Sequence, residues 1–251
     1  MSLAARPAVP PRVPAAGFGA EIDGRWVLED VSLSLPGGVT ALLGAPGSGH
    51  RAFAAALGRS LEADHRIRVR GCLCLDGREL YAPERAATEI RRRVPTLHTA
   101  EAFPGTVFDD VAFGLRAAGV DAPLAPTVES ALRRVGLWGR VRDGLDLPSR
   151  ALPDALRPRL ALARALALGP DALVLALPRG EREALADLLA EWGSEPPVLV
   201  LSQRVDRVVR RARSIAFFGG GRLLAHGPAP ELLTRPRTAA LEQFLGRGAA
   251  G

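Results

Sequence analysis

The run Val39-Thr40-Ala41-Leu42-Leu43 is wholly apolar but for one hydroxyl, and it ends at Gly44. Gly44-Ala45-Pro46-Gly47-Ser48-Gly49 follows at once, and Ala52 to Leu57 has helical composition. A buried strand, a glycine loop and a helix in that order constrain the chain to an α/β core with the loop at the strand's C-terminal end. The spacing G-x-x-x-x-G is the framework of a phosphate-binding loop, in which the N–H groups of Gly47, Ser48 and Gly49 and the helix N-terminus face an anion. The pattern normally continues with Lys, which reaches the β/γ-phosphates, and Ser or Thr, whose hydroxyl holds Mg²⁺. Here those positions are His50 and Arg51, and no lysine elsewhere can substitute, because all 33 fully charged basic side chains are arginine. His50 is shorter than Lys and mostly neutral at pH 7 if unperturbed. Arg51 can neutralise phosphate but cannot coordinate a metal.

The chain has 251 residues, 47% of them hydrophobic, enough for one large domain with a substantial core. A net charge of +6 raises the question of nucleic acid. The clusters Arg91-Arg92-Arg93 and Arg210-Arg211-Ala212-Arg213 read more simply as solvated helix faces. Abundant Ala, Arg, Leu and Pro with no Lys or Asn points to compositional drift. Cys72 and Cys74 lie two apart in an apparent strand, so their side chains share a face. They read as two small face residues, neither a disulfide framework nor a metal or redox site. No apolar run is long enough to span a bilayer, which excludes direct membrane insertion. Met1 to Gly19 is rich in Ala and Pro, lacks periodicity and lacks the order of a secretory signal, so residues 1–19 are expected to be a disordered tail.

Trp26 to Leu35 reads as a strand ending at the Pro36-Gly37-Gly38 turn. Ile67 to Leu75 alternates into the turn Asp76-Gly77, Glu84 to Arg93 reads as an amphipathic helix, and Val94 to Leu97 as a short strand. Helices are expected at Val107 to Ala118, Thr127 to Val135 and Leu156 to Leu168. Ala172 to Leu177 and Val198 to Leu201 are buried strands, and Ser214 to Phe218 with Arg222 to Ala225 form a hairpin about Gly219-Gly220-Gly221. Two helices close the chain, near Ala229–Leu233 and Thr238–Leu245. The fold class is α/β, a mainly parallel sheet with an N-terminal antiparallel part and an inserted helical subdomain at about 104–168.

This order resembles the ATP-binding subunits of ABC transporters, and most closely the phosphate-importer ones. The residues that carry the resemblance include Leu28-Glu29-Asp30-Val31-Ser32-Leu33, Val39 to Gly44, Leu75 to Pro83, Ile90 to Val94, Phe103-Pro104, Val107 to Gly114, Ala131 to Trp138, Arg159 to Ala167 and Ala216-Phe217-Phe218. They cover about residues 20 to 247, so a P-loop NTPase domain over 20–251 is implied. The resemblance implies ATP as a ligand, permease subunits and a homo- or hetero-dimer partner, and a cytoplasmic position at the inner face of the membrane.

Set against the family's motifs, this sequence keeps the loop glycines but departs systematically elsewhere in the nucleotide site. The aromatic that stacks on adenine falls at Ile22, with Trp26 as a stand-in. The metal-bridging glutamine falls at Thr99. The signature Leu-Ser-Gly-Gly-Gln falls on Leu152-Pro153-Asp154-Ala155-Leu156, where Pro153 has no N–H and Asp154 faces phosphate with like charge. The metal-holding Asp and the general-base Glu of the Walker B strand fall at Ala176 and Leu177. The family's Ser-Ala-Leu-Asp stretch is not recognisable in Arg179-Gly180-Glu181-Arg182. The switch histidine falls at Gln203.

Hydrolysis depends on charge stabilisation around the γ-phosphate, and loss of single elements costs orders of magnitude. The sequence therefore predicts no catalytic residues, no metal site and no Mg²⁺, and a remnant anion loop at Gly44, Gly47, Ser48, Gly49, His50 and Arg51. The function expected is a pseudo-ATPase of the phosphate-import type with a structural or regulatory role at a permease. Two alternatives stand beside it. One is a working phosphate-import ATPase with an atypical site. The other is a basic nucleic-acid or protein binding module unconnected with transport, though no nucleic acid is expected.

Overall fold

A strand opens the described part of the chain where the sequence predicts a tail. The computed structural model describes residues 13–35, 37–61, 66–75, 77–119, 123–193 and 196–248. Strand β1 (Val13–Ile22) takes in the last third of the stretch expected to be disordered, while residues 1–12 lie outside the described ones. β1 pairs antiparallel with β2 (Arg25–Leu35) on one side. After β3 (Val39–Leu43) and helix α1 (His50–Leu57), β4 (Ile67–Leu75) pairs antiparallel with its other side, and β5 (Arg78–Glu79) completes a sheet of order β2-β1-β4-β5. β1 is hard to read because its register shifts at Ala15/Phe18, Phe18/Ala20 and Ala20/Glu21, which breaks the period-2 alternation. Cys72 and Cys74 share a face of β4 as their spacing requires, but their sulfurs are bonded to each other, contrary to the expectation of two unlinked residues.

The chain continues through α2 (Ala87–Arg93), β6 (Thr96–Leu97), α3 (Val107–Ala117), α4 (Leu124–Arg134), α5 (Trp138–Val141) and α6 (Arg157–Ala167). Helix α3 starts at a capping box: the Thr106 hydroxyl accepts from Asp109 N–H, and the Asp109 carboxylate accepts from Thr106 N–H. β7 (Leu173–Leu175), α7 (Arg179–Glu183), α8 (Ala186–Ala190), β8 (Val198–Ser202), α9 (Arg207–Arg211), β9 (Ser214–Gly219), β10 (Arg222–Pro228), α10 (Ala229–Thr234) and α11 (Ala239–Gly248) follow.

The second sheet has the order β10-β9-β3-β8-β7-β6. Every pairing is parallel except the β9–β10 hairpin. All five residues of β3 are buried because it is central and covered on both faces. Alternate residues serve two cores. Val39, Ala41 and Leu43 pack with the helices α3, α4 and α6, while Leu42 packs with α1 and the antiparallel sheet. The C-terminal ends of β3, β7 and β8 consequently meet at one rim, where a doubly wound sheet places its ligands.

Candidate functional site

The glycine loop leaves β3 at Gly44, whose N–H donates to Ser202 O of β8 at 3.3 Å. A side chain at Gly44 would collide with Ser48 Oγ and come within 3.0 Å of Phe218 O, so the close approach of loop and sheet requires glycine. Gly49 caps α1 with φ 100°, a left-handed conformation that favours glycine. No side chain caps this helix, which leaves its first N–H groups facing the rim. Ser48 N–H is already engaged, donating to Ala45 O at 3.0 Å, which removes one of the three donors expected to form the cradle.

The first helical residue, His50, does not reach outward. It is 1% exposed, and its Nδ1 lies 2.8 Å from Ser48 Oγ, while Nε2 is buried without a partner. Burial, and then the Arg51 charge beside it, lower its pKa from 6.5 to about 4, so the ring is neutral at pH 7. The position that a phosphate-binding lysine would fill is therefore uncharged.

A cavity of about 310 Å³ opens beside the loop, lined by His50, Arg51, Ala176, Leu177, Pro178, Arg179, Arg182, Leu201, Ser202, Gln203 and Arg204. It joins the loop to the ends of β7 and β8. Four arginines line it and no carboxylate does. Arg182 is buried and tied down: it donates from Nε and Nη2 to Asp206 Oδ2 at 2.9 and 2.5 Å, and from Nη1 to Leu177 O at 3.0 Å. Asp206 also caps α9 by accepting from Val209 N–H. Its carboxylate is thus consumed by a bidentate cation and a helix end, and is not free to hold a metal or activate water. Arg51, Arg179 and Arg204 are exposed and have no carboxylate partner among the described residues.

The donor set does not suit Mg²⁺, which binds through carboxylates, phosphates and water. Ala176 and Leu177 supply a methyl and an isobutyl group, and Arg51 supplies a cation. Among the described residues no group of three or more His, Cys, Asp or Glu could hold a metal ion. A second cavity of about 450 Å³ shares His50 and Arg51 and is lined also by Arg25, Trp26, Val27, Gly47, Gly49, Ala52, Gly220 and Gly221. Trp26, 41% exposed, stands at its edge with the Arg70 guanidinium 4.3 Å from its ring centre. Ile22 is half-buried against the antiparallel core and does not line this cavity.

No protein-family profile matches the chain. It is 30% identical over 230 residues to the phosphate import ATP-binding protein PstB 2 of Gloeobacter violaceus, covering 87% of this chain and 86% of that one. The chain belongs to the ABC transporter ATP-binding subunits of the phosphate-import type. The phosphate import ATP-binding protein PstB of Thermotoga maritima is 28% identical over 244 residues, covering 94% of this chain and 97% of that one. Two solved structures share the fold, each with a TM-score of 0.70. One is cbiO1 from Clostridium perfringens, part of the ABC transporter complex cbiONQ, at 20% identity with 89% and 90% coverage. The other is a bacterial Atm1-family ABC exporter with ATP bound, at 21% identity, covering 99% of this chain and 45% of that one.

In this phosphate-import-type subunit, Ala176, Leu177 and Gln203 meet the loop in the first cavity. Thr99 does not line it. Thr99 is exposed, and its neighbour Ala100 donates its N–H to Glu181 Oε2 at 2.7 Å, which ties α7 to that loop. Leu152 to Leu156 also lie outside the cavity. Pro153, Asp154 and Ala155 are exposed, and Asp154 pairs with Arg157 at 3.0 Å. Sequence reasoning missed Arg179, Arg182, Arg204 and Asp206 as members of the site. Nothing local in the sequence marks these residues as neighbours, because the segments that carry them meet only in the fold.

A second feature lies on the helical side. Phe103 and Phe113 stack at 4.5 Å and are 37% and 49% exposed. Beneath them the buried Asp110 pairs with the partly buried Arg164 at 2.8 Å. Asp110 accepts from Phe103 N–H, and the Arg164 guanidinium sits 4.0 Å from the Phe103 ring centre. Desolvation raises the Asp110 pKa and lowers that of Arg164, and their attraction opposes both shifts. The arrangement holds two exposed aromatic rings in fixed positions.

Proposed function

We propose that this subunit is a non-hydrolysing member of its family, with a structural or regulatory role at a transporter permease on the inner face of the membrane. The observation that carries this reading is the arginine-lined cavity at the ends of β3, β7 and β8, where no lining group is a carboxylate. ATP hydrolysis needs the transferring phosphoryl group positioned with a metal and an attacking water oriented beside it. Here the residue at the lysine position is buried and neutral, the hydroxyl position carries Arg51, and the carboxylate positions are apolar. No step of metal-assisted phosphoryl transfer can be written from these side chains. The relatives are named as ATP-binding proteins of phosphate import. That supports nucleotide as the ancestral ligand and a permease as the partner.

The stacked Phe103–Phe113 pair supports the docking half of the reading. Fixed aromatic anchors on an exposed face are the kind of feature that carries binding energy. Among the described residues no helix is long and apolar enough to cross a membrane, which agrees with attachment through a partner.

The test is Mg²⁺-ATP turnover by the wild-type chain and by the double variant His50→Lys/Arg51→Ser. Both are expected at background, because the double variant still lacks carboxylates at Ala176 and Leu177. Recovery of turnover by that pair alone would show that the β7 end is not the decisive loss.

A further inference from the structure

The cavity beside the glycine loop has an uncompensated charge. Arg182 is neutralised by Asp206, but Arg51, Arg179 and Arg204 line the same 310 Å³ without a carboxylate partner among the described residues. Like charges gathered around one cavity repel each other, and an anion relieves the repulsion. They approach from three directions: Arg51 from the start of α1, Arg179 from the start of α7, and Arg204 from the turn after β8. Guanidinium groups bind phosphate oxygens through paired N–H donors. The uncapped N-terminus of α1 adds its own donors on the same wall. Among the described residues, the one buried unpartnered side-chain polar atom at this wall is Nε2 of His50, whose residue is 1% exposed.

We propose that this cavity binds a free triphosphate or polyphosphate chain without a metal ion, with Arg51, Arg179 and Arg204 taking the place of both the loop lysine and the divalent cation. The proposal rests on the non-hydrolysing reading of the same site and names its ligand. Mg²⁺ then works against binding. A chelated phosphate chain carries less negative charge, and the bound cation meets three guanidinium groups at close range. The arginines at the β7 and β8 ends become recognition residues, which turns the loss of the carboxylates into a change of ligand form.

Calorimetric titration of the full chain with tripolyphosphate and with ATP, each in EDTA or in excess Mg²⁺, tests this. The titrations are run at about 0.15 M ionic strength, where exposed charges are screened over roughly 8 Å. Both metal-free ligands are expected to bind, and excess Mg²⁺ to weaken each at least about tenfold. Arg179→Ala/Arg204→Ala is expected to weaken metal-free binding by a similar factor with unchanged thermal stability, since neither side chain has a partner to lose. Arg140→Ala removes one charge from an exposed position remote in sequence and is expected to change nothing. Absence of metal-free binding, strengthening by Mg²⁺, or equal weakening by Arg140→Ala overturns the proposal. Turnover of Mg²⁺-ATP would instead overturn the functional reading on which it rests.

Discussion

His50 shows how one buried side chain sets both the charge of the loop and part of its pH response. Its folded-state pKa is lowered from 6.5 to about 4, chiefly by burial. Between those values the unfolded chain binds the proton and the folded chain does not, so stability falls as pH drops through that window. The contribution is complete above about pH 6.5 and lost by about pH 4. Burial lowers His226 too, in the same direction. Denaturant titrations from pH 7 to pH 4 should therefore show a decline that His50→Gln reduces by roughly 1–3 kcal/mol without abolishing it. An equal slope in the variant would mean that His50 is not held neutral. Arg182 makes the second prediction at this scale. Removing it strands the Asp206 carboxylate, 1% exposed, and Arg182→Ala should cost about 3–5 kcal/mol in denaturant unfolding. Replacing both partners, as Arg182→Met/Asp206→Leu, should cost clearly less than the single change, because no buried charge is left alone. A larger loss in the double variant would contradict the pairing.

At the scale of elements, what could be read from the sequence followed the strength of the local pattern. β3 and β8 are continuous apolar runs, and their positions were plain. α3 was equally clear because its period and cap agree, and Thr106→Ala should lower stability by about 1 kcal/mol in thermal or denaturant unfolding. No change there would show that the box contributes nothing. Four elements were missed or read with other bounds. β1 hides its alternation behind register shifts and Gly17 at φ 58°. β7 was expected to run from Ala172 to Leu177, but the strand covers only Leu173 to Leu175, although Ala176 N–H still donates to Leu97 O at 2.8 Å. α7 and α9 are each five residues and too short for a helical period to register. The site was legible to a similar extent. The glycine loop and the apolar Ala176 and Leu177 stand in the sequence, whereas the arginine lining does not, since it is made by short helices and turns that only the fold brings together. The solvated reading of the arginine clusters also needs adjustment. The adjustment falls at Arg93, which is bonded to the largely buried Asp171, whereas Arg211 pairs with Asp187 on the exposed surface.

For the whole molecule, the proposed function keeps the family's fold while giving up its chemistry. Both cores, the parallel sheet and the helical part follow from apolar patterning that is intact, and 30% identity to a phosphate import ATP-binding protein over most of both chains agrees with that. Nothing in those cores depends on the groups that handle a metal or a water molecule. An apolar end to β7 is easier to bury than a pair of carboxylates, so Ala176 and Leu177 suit the core on packing grounds alone. The exposed Phe103–Phe113 pair does not line the arginine cavity, so the docking proposed for it is independent of that site. The measurement that bears most directly on this account is steady-state phosphate release from Mg²⁺-ATP by the purified full-length chain. The account predicts a rate equal to that of the no-protein control at every Mg²⁺ concentration. Mg²⁺-dependent turnover that Arg51→Ala/Arg204→Ala abolishes would contradict it.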